Sequence, residues 1–233
     1  MGMYDKPLFR LLGDRGLLVE YGDVIDPLIN DRVRRLGLAL EKTPPRGLTE
    51  YVGTYCSMII IYDPGLTSVT MLKQAVRELE ENLHAMEAPE PAVIRIPVCY
   101  GGEYGPDMGY VAEYNSLGTD EVIRLHSEPL YRIYMLGFTP GYPYLGGLPE
   151  QLHTPRLPTP RTLVPAGSVG IANAQTGIYS IASPGGWRLI GRTPVKLFSA
   201  RRERPILLQT GDFLKFYPIS PSEFRDMAQK EEG

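Results

Sequence analysis

The chain has 233 residues, of which 43% are hydrophobic and 22% charged, with a formal net charge of -3; that is enough to bury one large core or two modest ones without disulfide staples. Acidic and basic residues are interspersed, which excludes the one-sign field expected of a nucleic-acid or anionic-lipid binder. No uncharged run is long enough to span a bilayer, and the first residues lack an apolar signal stretch, so a cytoplasmic protein is expected.

Cys56 and Cys99 lie inside apolar runs and read as small buried hydrophobes rather than ligands or nucleophiles. The basic knot Arg201-Arg202-Glu203-Arg204 is short, is interrupted by an acid and precedes Pro205, so it reads as a solvated loop.

Residues 8–12 and 17–21 are apolar runs around the turn-rich Gly13-Asp14-Arg15-Gly16 and predict a hairpin. Leu28, Ile29, Val33, Leu36 and Leu40 then recur at helical spacing, with Asp26 as N-cap and Pro27 in the first turn. Strands are expected at 48–53 and 57–62, the second stopped by Asp63-Pro64-Gly65. A second helix follows, capped by Thr67 or Ser68, with Val69, Leu72, Val76, Leu79, Leu83 and Met86 as its buried stripe. His84 falls near its C-terminal end, where an imidazole opposes the helix dipole favourably. Strand-strand-helix repeated twice predicts a small sheet covered by two helices.

Pro89 and Pro91 cannot continue that helix and mark a boundary. The expected organisation is a small α/β domain over 1–88, a barrel over 93–220 and a tail over 221–233, with a frayed helix from Ser222. Between 93 and 221 fall sixteen of the 25 glycines and fifteen of the 22 prolines, the composition of short strands joined by many turns. Two short helices are expected there, at 106–114 and, capped by Thr119, at 119–126. Strands are expected at 130–136, around Val164, and at 168–172, 177–181, 187–191, 195–198 and 213–217. The fold class is therefore α+β.

No Walker loop, Gly-x-Ser-x-Gly elbow, His-Glu-x-x-His or zinc-type Cys/His spacing occurs. What stands out is a density of glycine and aromatic residues in three segments of the barrel half: 137–148, 165–171 and 175–194. Such segments let a backbone approach a bound group closely beside flat apolar surfaces, although turns and core aromatics of any small barrel need the same residues. Phe138, Tyr179 and Trp187 are the candidate walls. Gln175 can read an amide or carboxylate, and Arg192 can fork onto an anion; either can equally tie loops together. His126, at the end of its helix, is the candidate acid or base, with a helix-terminal role as the alternative. His153 reads as a loop residue.

These segments, together with Gly13-Asp14-Arg15-Gly16-Leu17-Leu18-Val19-Glu20-Tyr21-Gly22 and the stretch from Leu125-His126 to Arg192-Thr193-Pro194, resemble the family that includes the small B-type subunit of bacterial 5-oxoprolinase, the sporulation kinase inhibitor KipI and the allophanate hydrolase subunit 1 domain of urea amidolyases. The resemblance runs along essentially the whole chain. Two positions depart from it: Tyr114 stands where relatives often have histidine, and Ser180 where they often have proline.

The resemblance implies a cyclophilin-like β-barrel behind a small α/β domain. It implies two partners, a second cyclophilin-like subunit (C-type, KipA-like) and a LamB-type subunit. Together they would open the lactam of 5-oxoproline to glutamate with ATP and magnesium, bound by the assembled complex and not by the isolated chain. The barrel cleft would form the ligand site, with Arg192 and Gln175 as anion and amide readers, Phe138, Tyr179 and Trp187 as walls and His126 as proton carrier. The KipI likeness implies a different role, gripping a histidine kinase; a third is membership of an allophanate- or urea-utilising assembly.

Overall fold

A computed structural model describes residues 2–83 and 89–232, which leaves His84 and Met86 outside the described residues. The chain is α+β and divides between Glu90 and Pro91 into two compact units.

In the first unit β1 (Met3–Leu12) and β2 (Gly16–Gly22) form the expected hairpin, its turn made by Gly13 at φ 62. Helix α1 (Pro27–Lys42) follows, with Asp26 Oδ1 accepting the Leu28 and Ile29 amides at 2.7 and 3.3 Å. Then come β3 (Leu48–Gly53), β4 (Ser57–Tyr62) and α2 (Val69–Glu80), the last capped by Ser68. The antiparallel sheet has the order β1-β2-β4-β3. Period-two alternation sends Leu17, Val19, Tyr21, Met58, Ile60 and Tyr62 into one core with Ile29, Val33, Leu36, Leu40, Leu72 and Val76 of the helices.

The second unit begins with β5 (Val93–Tyr100), α3 (Met108–Tyr114) and α4 (Thr119–Ser127). The residue flanking α4 is Gly118, without a side-chain cap, so Thr119 is the first helical residue rather than the cap. Ten further elements complete the unit: β6 (Tyr131–Leu136), β7 (Pro143–Gly146), β8 (Arg161–Val164), β9 (Ser168–Ala172), β10 (Gln175–Ile178), β11 (Ser183–Gly185), β12 (Arg188–Arg192), β13 (Phe213–Pro218), α5 (Pro221–Glu232) and a short 3-10 turn at Glu150–Leu152. Seven strands form one sheet in the order β10-β9-β12-β5-β13-β6-β7, while β8 and β11 pair separately. The sheet curls until its two edge strands lie against each other, a nearly closed barrel.

Its interior holds Ile96, Val98, Ile133, Val169, Ile171, Ile178, Ile190, Leu214 and Phe216, with Val111 and Val122 of α3 and α4 packed in. The strand expected at 195–198 is absent: Phe198 makes only an isolated bridge to Ile206, because Pro194 and the loop at 199–205 interrupt a ladder there. Helix α5 starts with a reciprocal cap in which Glu223 accepts the Ser220 amide at 2.7 Å and Ser220 Oγ accepts the Glu223 amide at 3.3 Å. Phe224 is buried and packs on Tyr104 with ring centroids 4.4 Å apart. Among the described residues no helix is long and apolar enough to cross a membrane. Both cysteines are free thiols, Cys99 buried and Cys56 half-buried, and burial pushes both thiol pKa values up.

Candidate functional site

The alternation of β10 decides which side chains meet a cleft and which meet the core. Ile178 points into the barrel interior, and Thr176 is 1% exposed. Gln175 and Gly177 take the opposite side. Gly177 pairs across the strands with Gly170 of β9. A Cβ on Gly170 would meet Trp187 Cβ at 3.2 Å; one on Gly177 would meet Tyr142 Oη at 2.9 Å and Trp187 Cζ3 at 3.2 Å. Two facing glycines thus leave a flat backbone floor on which aromatic rings lie.

Tyr142 is the hub of those rings. It meets Phe138, Tyr144, Tyr179 and Trp187 edge-on, with centroids 5.5, 5.2, 5.9 and 6.1 Å away, the geometry favoured by the ring quadrupole. The loop before β7 is folded by short bonds, Gly137 amide to Tyr142 carbonyl at 3.1 Å and Tyr142 amide to Thr139 carbonyl at 3.0 Å. This turn holds Phe138 at φ 63 with its side chain 66% exposed. A bulky residue in the left-handed region is strained, and such strain clusters at ligand sites.

Trp187 is fixed from behind. Arg161 donates to its carbonyl at 3.2 Å and forks onto both oxygens of Asp107 at 2.8 and 2.9 Å, while Asp107 also accepts the Leu189 amide at 2.7 Å. Tyr179 is buried, and its hydroxyl lies where a Cβ of Gly185 would be, 2.2 Å away. Burial raises the Tyr179 pKa; the Trp187 backbone and the charges of Arg156 and Arg161 oppose that rise.

The result is a cleft of about 280 Å³ lined by these aromatics, Gln175, Arg156, Leu157, Pro160 and the Pro184-Gly185-Gly186 turn. Four of the six residues picked from sequence, Phe138, Gln175, Tyr179 and Trp187, come together on its walls. Arg192 does not: it sits at the opposite end of β12 from Trp187, and its Nε donates to the Ala166 carbonyl at 2.8 Å.

His126 does not line the cleft either. Its side chain is wholly buried between Tyr100 Oη at Nδ1 and Thr176 Oγ1 at Nε2, both at 2.8 Å. Thr176 donates its own proton to the Gly170 carbonyl at 3.0 Å. Nε2–H must therefore donate to Thr176, and Nδ1 accepts from Tyr100. Burial holds its pKa down to about 3, so the ring is a neutral strut inside the barrel, behind the strand that carries Gln175. His153 ends the 3-10 turn, with Nε2 3.4 Å from the Leu148 carbonyl. Sequence reasoning missed Arg156, Tyr142 and Tyr144 as lining residues; Pro155 and Pro158 mark a stiff loop around Arg156 but do not set that arginine apart from Arg192.

The family described as "Carboxyltransferase domain, subdomain C and D" matches residues 7–208. The B subunit of Bacillus subtilis 5-oxoprolinase is 40% identical over 95% of this chain and 96% of its own. The crystal structure of TTHA0988 superposes with a TM-score of 0.79 at 38% identity, covering 88% of this chain but 40% of that longer one. More distantly, the urea amidolyase of Saccharomyces cerevisiae is 26% identical over 96% of this chain and 14% of its own length. The chain belongs to the carboxyltransferase subdomain C and D family and, within it, to the family of 5-oxoprolinase B subunits.

Proposed function

We propose that this chain is a non-autonomous cytoplasmic component of an ATP-dependent 5-oxoprolinase, and that its aromatic cleft binds 5-oxoproline. The observation that carries the reading is likeness at matching length: 95% of this chain aligns with 96% of a 5-oxoprolinase B subunit. The cleft is consistent with that role. Its size suits a small molecule, its walls are flat and apolar, and Gln175 supplies both a donor and an acceptor.

The partners in this reading are a second cyclophilin-like subunit and a LamB-type subunit. A solved relative that carries this fold as 40% of a longer chain supports an adjoining partner surface. ATP and its magnesium are assigned to the assembly rather than to this cleft. Among the described residues no three His, Cys, Asp or Glu side chains converge, and the cleft lining has one cationic side chain, Arg156, where a triphosphate calls for several. What its residues supply is orientation of the ring and exclusion of water from one face.

A second reading, membership of an allophanate- or urea-utilising assembly, draws on the likeness to yeast urea amidolyase; the higher identity at matching length favours the first. The test is 5-oxoproline-dependent ATP hydrolysis by this chain alone, by the partner subunits alone and by the mixture. Activity in the mixture only is expected. Silence in a demonstrably assembled mixture would overturn the reading; inhibition of a histidine kinase's autophosphorylation would then put the chain with KipI.

A further inference from the structure

The cleft holds a cation with no counter-ion. Arg156 is on its wall, no Asp or Glu lines it, and among the described residues Arg156 takes part in no ion pair. Neighbouring arginines are committed elsewhere: Arg161 to Asp107, and Arg188 to the Pro155 carbonyl at 3.3 Å and the Tyr110 ring at 3.5 Å.

The backbone that presents Arg156 is held on both sides. Thr154 and Asn173 exchange bonds of 3.3 and 2.7 Å, and the Leu157 amide donates to the Gly186 carbonyl at 2.7 Å. Pro155 fixes φ immediately before it. Arg156 itself is exposed at the mouth of the cleft; a guanidinium on a stiff support beside aromatic faces is suited to a carboxylate, which it can grip with two parallel bonds.

Gln175 adds a second restriction through elementary amide chemistry. A five-membered lactam cannot adopt the trans form, so its N–H and C=O lie on the same edge, whereas an acyclic amide is trans and turns them to opposite sides. A primary carboxamide also presents C=O and N–H along one edge, and can pair with a cis amide through two reciprocal hydrogen bonds.

We propose that Arg156 and Gln175 set the specificity of the cleft, Arg156 receiving a carboxylate and Gln175 pairing with the edge of a cis-amide ring that packs on Tyr142, Tyr179 and Trp187. The inference rests on the reading of the cleft as the 5-oxoproline site and goes further: it states which two features of the ligand are read, and by which side chains. A lactam without a carboxylate loses the first contact, and an acyclic amide with a carboxylate loses the second.

Trp187 is the single tryptophan of the chain and stands in the wall, so fluorescence of the purified full-length protein reports occupancy directly. The titrants are 5-oxoproline, 2-pyrrolidinone, which lacks the carboxylate, and N-acetylalanine, which is acyclic. Saturable quenching by 5-oxoproline is expected, with both analogues weaker by about tenfold or more, the scale of one lost charge-assisted or paired contact.

Arg156→Gln should weaken 5-oxoproline by about tenfold while leaving 2-pyrrolidinone as in the wild type. Gln175→Leu should weaken both lactams and leave N-acetylalanine unchanged, and Arg204→Gln, in a loop outside the lining, serves as control. Unchanged thermal midpoints separate lost binding from lost folding. A flat wild-type titration, equal affinity for the three titrants, or an Arg156→Gln variant that binds 5-oxoproline as the wild type does would overturn the inference. ATP hydrolysis by the assembled complex is measured in parallel: turnover with any of those results would leave the functional reading standing and remove only the specificity assignment.

Discussion

The two units solve the same problem, covering one face of a sheet, by opposite routes. In the first, β1–β2 and β3–β4 are sequence neighbours and β2–β4 is separated by one helix and one strand, and each central strand alternates cleanly, with Leu17 and Val19 or Met58 and Ile60 inward. In the second, the central strand β5 pairs with β12 and runs parallel to β13; the Ala92 amide reaches Asp212 Oδ1 120 residues away. The first unit follows from local chemistry. The second is assembled from distant segments; β9 is buried on both sides, whereas β13 still alternates. A cleft arises in the second because a curled sheet of short strands leaves outward-facing rings between its turns.

The largest expected effects come from cavities in the two cores, and they test whether the units are separate folding domains. Ile60 and Ile190 are both fully buried, one in each core. Each substituted by alanine should cost about 2–5 kcal/mol. Because Trp187 lies in the second unit, the unfolding transition seen by its fluorescence should move to lower denaturant for Ile190→Ala and stay in place for Ile60→Ala, whose loss appears in far-UV circular dichroism. Equal shifts of the fluorescence transition for both variants would mean one cooperative unit.

The same contrast explains what was legible in the sequence. The first unit's hairpin, first helix, strand pair and Asp26 cap have local signals and stand where periodicity puts them; the second helix starts as expected but ends at Glu80, short of Leu83 in its expected stripe. In the barrel, β6, β9, β12 and β13 carry apolar runs that can be read, but β7 and β11 are four and three residues long, too short for periodicity to register. The run at 195–198 looks like a strand by composition and finds no ladder partner. Of the candidate site, Phe138, Gln175, Tyr179 and Trp187 were visible through glycine-aromatic clustering. Arg192 was not distinguishable from Arg156, because only the fold decides which arginine is committed to the Ala166 carbonyl and which stands on the cleft. His126 drew attention by chemistry and position; its burial against Tyr100, Thr176 and Phe216 is set by strands remote in sequence.

His126 gives the next effect in size, and it too belongs to the barrel alone. The folded state takes up its proton only near pH 3, whereas an unfolded histidine does so near 6.5. Between those values the unfolded chain binds one more proton, so stability falls as pH drops, by about 1.4 kcal/mol per unit well below 6.5. Between pH 7 and pH 5 the wild-type barrel should lose about 2 kcal/mol from this group. His126→Gln, whose amide can still donate to Thr176 and accept from Tyr100, should remove that loss while keeping the fold. Urea midpoints by Trp187 fluorescence at the two pH values measure it; an unchanged pH dependence in the variant would mean that His126 is protonated inside the folded barrel.

The smallest effect compares one helix terminus from each unit. Asp26 caps α1 with two amide contacts, and Pro27 behind it pre-sets the first turn. Ser220 caps α5 in a reciprocal arrangement with Glu223, whose carboxyl pKa is lowered by its bonds from the Ser220 amide and hydroxyl. Alanine at either cap should cost about 1 kcal/mol locally, but the consequences should differ. α1 contributes Ile29, Val33, Leu36 and Leu40 to a core, so its loss is felt by the whole first unit. α5 buries Phe224 against Tyr104, half-buries Met227 and Ala228, and is tied at its far end by Glu231 to Arg202 at 2.9 Å. Asp26→Ala should therefore lower the global stability of the first unit, whereas Ser220→Ala should speed amide exchange in residues 221–232 and leave the Trp187-monitored midpoint within about 0.5 kcal/mol of the wild type. A global loss from Ser220→Ala equal to that from Asp26→Ala would make α5 a structural part of the barrel rather than a strap laid on its surface.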